Sequence, residues 1–543
     1  MARSRGRYIL FFLVACVLSI AARAQTNRYM VFFKDKAGTP YSIGEPAAFL
    51  STRAIDRRMS QDIAVTEQDL PVAPAYIAGV SGTGAKTFFT SRWANGVLVE
   101  CESSVVPGIT QLSFVDHVEM VAPGSRLNAG GRKRQSSRAK SHAQGTRTAA
   151  QLSMLGLDAM QDAGYHGEQI SIAVFDGGFS GVDTAPAFRH IFNEGRLDKD
   201  ACVDFVTNSH DVFQRDDHGT AVFSVIAGYD EGSYTGGSYE ATYQLYVTED
   251  VASEYRIEEY NWLFAAEKAD SAGVDIISSS LGYYDFDDVS MNYSRQNLDG
   301  KTTVVSRAAQ WAADRGIIVV CSAGNEGANQ WQLITAPADA KDVLAVASVT
   351  STGQRAPSSS KGPASDGRIK PDVAAMGVGT AVIRPDGSIS SLNGTSLAAP
   401  LITSLAAGVW QRYPMLSAEA VIDAIRNSAS QSSSPDSLIG YGIPNFQAVV
   451  NYVESHPQEE VFAVYPNPVV ADSLIVKPAD PATVTKCRVE LISSDGRMLT
   501  SNDVSFSWLN RVYTANMTPY QAGIYFVRIT WQERRYIYRV AKV

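Results

Sequence analysis

Four short segments carry side chains able to make and break acyl bonds. Gly394-Thr395-Ser396-Leu397-Ala398-Ala399-Pro400 sets a serine among small residues, just before a helix-like run from Leu401 to Trp410. A nucleophilic serine needs room for a carbonyl beside it, and a helix N-terminus adds free N–H groups and a field that favours developing negative charge. Ser171-Ile172-Ala173-Val174-Phe175-Asp176-Gly177-Gly178 begins as an apolar run without alternation and ends in a carboxylate followed by two glycines. Such a run reads as a strand buried on both faces of a parallel sheet. In Asp217-His218-Gly219-Thr220-Ala221-Val222 a histidine opens an apolar helix-like stretch, and Gly219 leaves space beside the ring. A further buried strand, from Ile317 to Ser322, ends in Ala323-Gly324-Asn325-Glu326-Gly327 and brings an amide to its end. Functional groups in open α/β sheets gather beyond the carboxyl ends of the strands. Hydroxyl, imidazole, carboxylate and amide at one such edge are the groups that serine-nucleophile acyl transfer requires. Taken singly, each has a plainer reading as a turn former, a packed helix start or a satisfied core residue. Their order and flanks, taken together, favour catalysis.

The order Asp176, His218, Asn325, Ser396 with these flanks resembles the subtilisin-like serine proteases, whose triad runs in this chain order. His-Gly-Thr-Ala-Val and Ala-Gly-Asn-Glu-Gly match the family closely. Asp-Gly-Gly stands where Asp-Thr-Gly or Asp-Ser-Gly is usual, and Leu397 where methionine is common. Ser278-Ser279-Ser280-Leu281-Gly282 is similar to the family's substrate-lining strand, and Lys370-Pro371-Asp372-Val373-Ala374-Ala375 to the segment before the serine. The resemblance spans residues 146–455. It implies Asp176, His218 and Ser396 as catalytic residues and Asn325 as oxyanion donor. Ser280, Leu281, Gly282, Ala323 and Gly324 would line the substrate pocket, whose small uncharged walls favour apolar side chains. No metal or organic cofactor is required; structural calcium is left unassigned, and the acidic loop Asp285-Phe286-Asp287-Asp288, which could hold it, reads first as plainly solvated. Glu326, Asp216 and Asp217, close to the site in sequence, read as solvated loop charge rather than as binders of basic substrate side chains. The rival reading is a catalytically inactive subtilase-fold surface binding protein. An esterase would need a Gly-x-Ser-x-Gly elbow and a different chain order.

These residues need a scaffold, and the rest of the chain supplies one. Strand and helix patterns alternate from Thr146, which predicts a parallel sheet with helices on both faces. Helix-like runs span Leu152 to Ala163, Asn261 to Ser271, Thr303 to Arg315 and Ala418 to Asn427; strand-like runs include Tyr243 to Val247, Val274 to Ser278 and Ala345 to Val349. At 543 residues the chain is too long for one core. Residues 25–125 form a smaller mixed α/β pattern, with a strand at Arg28 to Phe33, a helix over Pro46 to Arg58 and short strands at Gly96 to Glu100 and His117 to Val121. The resemblance makes this segment an inhibitory pro-domain. Residues 126–145, with Arg132-Lys133-Arg134, Arg138 and Lys140 and no acid, read as a basic processing linker. Residues 456–543 alternate strand-like runs with turn chemistry and predict a small β-sandwich closed by a hairpin, Tyr525 to Ile529 against Tyr536 to Val540. Tyr465-Pro466-Asn467-Pro468, Gly523-Ile524-Tyr525 and the Lys542-Val543 end resemble the C-terminal sorting domain of type IX secretion.

Arg3, Arg5 and Arg7, the apolar run Tyr8 to Ile20 and Ala22-Arg23-Ala24 read as a secretory signal peptide over residues 1–24. A net charge of −9 argues against nucleic-acid binding. Five cysteines without close spacing exclude a disulfide framework or zinc site built on sequence-near pairs; a bond from Cys101 or Cys487 to the core stays open. The expected protein is a secreted or surface-displayed monomeric endopeptidase. Its partners are polypeptide substrates, its own pro-domain as inhibitor, and the secretion machinery.

Overall fold

The computed structural model describes residues 26–124, 147–456, 461–470, 472–507 and 509–543; the expected signal peptide and the whole basic linker lie outside these. The central element is a seven-stranded sheet with strand order Val373–Met376, Leu344–Val349, Ile318–Ser322, Ile276–Ser279, Ser171–Asp176, Thr242–Val247, Val203–Asp204. Every pairing in it is parallel. Side chains alternate across a strand, and both faces here are apolar. Ile172, Val174, Ile276, Val320 and Val346 enter one core with helices His218–Ala227 and Thr395–Arg412. Ala173, Phe175, Ile277, Val319 and Ala345 enter the other, with helices Ile257–Ala272 and Val304–Ala313. The edge strand is tied down by charge: buried Lys370 donates to Asp372 at 2.7 Å, and Arg426 of helix Ala418–Asn427 pairs with Asp372 at 2.7 Å.

Three expected helices have different limits. The run from Leu152 to Ala163 is two helices, Ala149–Leu155 and Leu157–Asp162, broken at Gly156 with φ +66°. A Cβ there would lie 2.8 Å from the side-chain nitrogen of Asn445, so the chain must turn sharply beneath that residue. The helix expected from Pro46 is a short 3₁₀ turn followed by helix Thr52–Ser60, whose start is set by Ser51 accepting from the Ala54 N–H. The helix expected from Asn261 begins at Ile257, because buried Glu258 and Glu259 form its first turn. Acidic residues inside a core interrupt the apolar period used to find helices.

Strands Thr26–Phe33, Lys86–Ser91, Gly96–Glu102 and Val115–Ala122 form an antiparallel sheet in the N-terminal segment. Tyr29, Val31, Val97 and Val99 face its own core, whereas Met30, Leu98 and Val121 pack with Phe264 and Leu263 of helix Ile257–Ala272. The N-terminal sheet is therefore capped by the helices of the large domain. A buried ionic cluster fastens the two. Asp270 accepts from Arg57, Arg58 and Arg92, and Arg315 reaches Asp69 at 2.8 Å. Residues beyond 461 form two packed antiparallel sheets, closed by the expected hairpin, Gly523–Trp531 with Arg534–Lys542. Arg535 of that hairpin pairs with Asp62 at 3.2 Å.

Cys101, Cys202, Cys321 and Cys487 are all buried and free. Burial pushes the Cys202 thiol up to about 12, so it behaves as a small hydrophobe. Among the described residues no helix is long and apolar enough to cross a membrane.

Candidate active site

Asp176 ends strand Ser171–Asp176 level with Val247, the last residue of its parallel neighbour, and the following Thr248 N–H donates to the Asp176 carbonyl at 3.1 Å. Its side chain is 1 % exposed. His218 is the first residue of helix His218–Ala227, and its Nδ1 lies 2.8 and 3.0 Å from the two Asp176 carboxylate oxygens. Gly219 makes this approach possible. A Cβ at 219 would stand 2.4 Å from the Gly178 carbonyl oxygen and 2.8 Å from the Asp176 Cβ. The imidazole keeps 21 % of its surface open, so a buried carboxylate holds a partly exposed ring.

Ser396 is the second residue of helix Thr395–Arg412 and is 7 % exposed. Its Oγ reaches the Ser280 carbonyl at 3.4 Å, and Ser280 Oγ donates back to the Ser396 carbonyl at 2.8 Å. The start of this helix thus meets the end of strand Ile276–Ser279. Pro400 falls in the second turn, near the end where a missing N–H is tolerated best.

Asn325 follows strand Ile318–Ser322, beyond Gly324 with φ +105°. Its side-chain oxygen accepts from the Thr395 N–H at 2.9 Å and the Thr395 hydroxyl at 3.1 Å. The oxygen is thereby occupied and the amide N–H₂ turns away from Thr395. A Cβ on Gly394 would lie 3.6 Å from that nitrogen, so the amide borders the turn into Ser396. The sequence reading did not single out Thr395; the signal available was its place beside Ser396 in the heptapeptide.

The five expected pocket residues lie on adjoining segments. Ser322 Oγ reaches the Leu281 carbonyl at 3.4 Å, and the Thr335 N–H donates to the Ala323 carbonyl at 3.2 Å. Leu281 and Ala323 belong to the apolar core. Gly282 and Gly324 both face Thr335, where added Cβ atoms would stand 2.1 and 2.9 Å from its Oγ1. Their smallness is a packing requirement as well as a matter of room. Of the acidic neighbours, Asp217 is paired with Arg384, Glu326 accepts from Tyr284 and Asn329, and Asp216 lies 3.4 Å from the His218 N–H. In the Asp285–Asp288 loop, Asp287 accepts from the Glu254 N–H at 3.1 Å and Asp288 from the Ser290 N–H at 2.9 Å.

Residues 167–442, about half of the chain, match the subtilase family. The chain belongs to the subtilase family. Residues 28–142 match the Bacteroidota propeptide domain of the same peptidases, and residues 463–542 a secretion-system C-terminal sorting domain. Subtilisin from Bacillus pumilus is 28% identical over 304 residues, covering 55% of this chain and 96% of that one. Subtilisin E from Bacillus subtilis strain 168 is 27% identical over 304 residues, covering 55% of this chain and 70% of that one. Among solved structures, the MycP3 protease from the type VII (ESX-3) secretion system is similar at a TM-score of 0.47 and 22% identity, over 60% of this chain and 95% of that chain. This subtilase is accordingly a serine endopeptidase made as a precursor with a propeptide. Its C-terminal sorting domain directs it to the cell exterior or surface.

Proposed function

We propose that this subtilase cleaves polypeptides through Ser396, His218 and Asp176, with Asn325 and the Ser396 N–H as the oxyanion hole. Ser396 Oγ attacks the scissile carbonyl carbon while His218 Nε2 takes the hydroxyl proton. The new C–O⁻ is held by the Asn325 side-chain amide and the Ser396 N–H. A single such donor contributes about 3–4 kcal/mol to the transition state. His218 then passes its proton to the leaving amine, the C–N bond breaks, and an acyl-enzyme remains. Water attacks that ester with His218 again as base, which restores Ser396 and releases the acid. Asp176 stays ionised, keeps the proton on Nδ1 and stabilises the imidazolium. The chemistry needs no metal. What carries this reading is the Asp176–His218 contact at 2.8 Å on the sheet edge where Ser396 starts a helix.

In this reading residues 1–24 are a signal peptide, 25–125 the inhibitory pro-domain, 126–145 the linker cut in maturation, 146–455 the catalytic domain and 456–543 the sorting domain. The enzyme acts as a monomer. Substrate side chains enter between the segments at Ser280 to Gly282 and at Ala323 and Gly324, whose uncharged walls favour apolar residues. A serine-directed fluorophosphonate probe tests the mechanism. Matured protein takes the label and Ser396→Ala does not. A correctly processed, unlabelled wild type means that the fold serves as a binding protein instead.

A further inference from the structure

Beside the catalytic edge the chain gathers more buried carboxylate than its own donors satisfy. Strand Thr242–Val247 leaves the sheet level with Asp176, and the next residues are Thr248, Glu249 and Asp250. Glu258 opens helix Ile257–Ala272. Carboxylate oxygens of Glu249, Glu254 and Glu258 lie within 4.8 Å of one another. Glu258, Asp250 and Asn261 also line a cavity of about 40 Å³. They are 1%, 5% and 2% exposed.

Each of these three has one oxygen engaged or its amide anchored, and one oxygen that no donor reaches. Glu258 Oε1 accepts from the Asp250 N–H at 3.4 Å, but no donor reaches Oε2. Asp250 Oδ1 accepts from Arg215 at 3.0 Å, while Oδ2 has no donor. The Asn261 amide donates to the Thr248 carbonyl at 3.1 Å, and its Oδ1 has none. An unpaired buried polar oxygen costs about 1–3 kcal/mol, and here three occur on residues that line one small cavity. Burial and repulsion from Glu249, Glu254 and Asp250 push the proton affinity of Glu258 well up. One guanidinium, Arg28, also lines the cavity, but it lies 3.5 Å from Glu100 and over the Phe88 ring.

We propose that Glu249, Glu254 and Glu258, with Asp250 and the Asn261 side-chain oxygen, bind a calcium ion. The donor set is oxygen only, carboxylate-rich and irregular, as a hard cation that tolerates flexible geometry prefers; magnesium demands a tighter octahedron with more waters. The volume suits one ion with little accompanying water. Four carboxyl side chains stand against two arginines, Arg215 on Asp250 and Arg28 beside Glu100, and the excess of acid attracts a dication. The ion joins the segment after Val247 to the start of helix Ile257–Ala272. Ala122, Pro123 and Gly124 of the N-terminal domain line the same cavity, so the ion also firms the surface on which that domain's last strand ends.

The test is direct binding to the full-length Ser396→Ala precursor, freed of metal by chelation and studied by equilibrium dialysis against calcium. This readout does not depend on the catalytic reading. Ser396→Ala binds one more equivalent than Ser396→Ala/Glu258→Gln, and terbium in the site gives tyrosine-sensitised emission, with Tyr283 donating to Glu249. Ser396→Ala/Glu240→Gln, altered at the separate group His166, Glu168 and Glu240, keeps that equivalent. Equal stoichiometry with and without Glu258, both proteins folded by circular dichroism, overturns the proposal; a proton shared between Glu258 and Glu249 is then the occupant. If Glu258→Gln does not fold, the less buried Glu254→Gln decides. A loss of calcium affinity of tenfold or more supports the site, and unchanged affinity overturns it.

Discussion

Thr395 holds Asn325 by two bonds to one oxygen, from its N–H at 2.9 Å and its hydroxyl at 3.1 Å. The residue before Ser396 thereby sets which way the Asn325 amide faces. Preorganised donors of this kind act because they need no reorientation when charge develops.

Removing the amide with Asn325→Ala should lower kcat by roughly 10²–10³-fold with the fold intact. Thr395→Val keeps the N–H and loses the hydroxyl, and its kcat should fall by less than that. Steady-state kinetics on a peptide substrate measure both. An Asn325→Ala effect below about threefold removes the oxyanion role.

Gly219→Ala is expected to be more damaging than its single methyl suggests. The added carbon would stand 2.4 Å from the Gly178 carbonyl oxygen and 2.9 Å from the Phe179 ring. Helix His218–Ala227 must then move away from Asp176, which separates the carboxylate from the ring. Both melting temperature and fluorophosphonate labelling of the variant should drop; wild-type values for both would show that the contact relaxes freely.

The seam between the N-terminal and catalytic domains should be sensitive to acid. Burial alone would raise Asp270, but Arg58, Arg92 and Arg57 outweigh it and hold the carboxyl below its ordinary value. Asp69 is lowered likewise, with Arg58 and Arg315 overcoming burial. A depressed carboxylate gives stability that is complete above its unfolded value, near pH 4, and is lost as pH falls through the folded value. Unfolding of the Ser396→Ala precursor should therefore show stability falling below about pH 4. Asp270→Asn should destabilise the precursor by about 3–5 kcal/mol at neutral pH, since several arginines lose a buried partner. An equal loss at pH 3 and pH 7 would contradict the ionic account.

Release from the cell should depend on the last domain as well as on the expected signal peptide. Deleting residues 463–542 leaves the catalytic cores untouched, because the terminal sandwich has its own apolar cluster. The truncated protein should be absent from the culture fluid and cell surface on fractionation, and retained behind the outer membrane. Its normal appearance outside the cell would separate that domain from sorting.

The chain order and flanks of Asp176, His218, Asn325 and Ser396 were legible without coordinates because Asp176 and Asn325 follow apolar runs that stop just before or at them, and His218 and Ser396 stand where apolar helical runs begin. The parallel sheet was legible for a related reason: strands such as Ile317 to Ser322 are buried on both faces, and an unbroken apolar run records that directly. Other features were out of reach. The helix break at Gly156 depends on Asn445, almost three hundred positions later, and the early start at Ile257 depends on a core that accepts Glu258 and Glu259. Arg57 and Arg58 read as an ordinary basic helix end until Asp270 is placed against them. Thr395 became a support for Asn325, and Asp250, Glu258 and Asn261 became one oxygen-lined cavity, only through folding. Sequence records what a residue can do and which local period it obeys. Whether two polar groups satisfy, repel or share a third partner depends on distances of a few ångströms between segments far apart in the chain, and packing alone sets those distances.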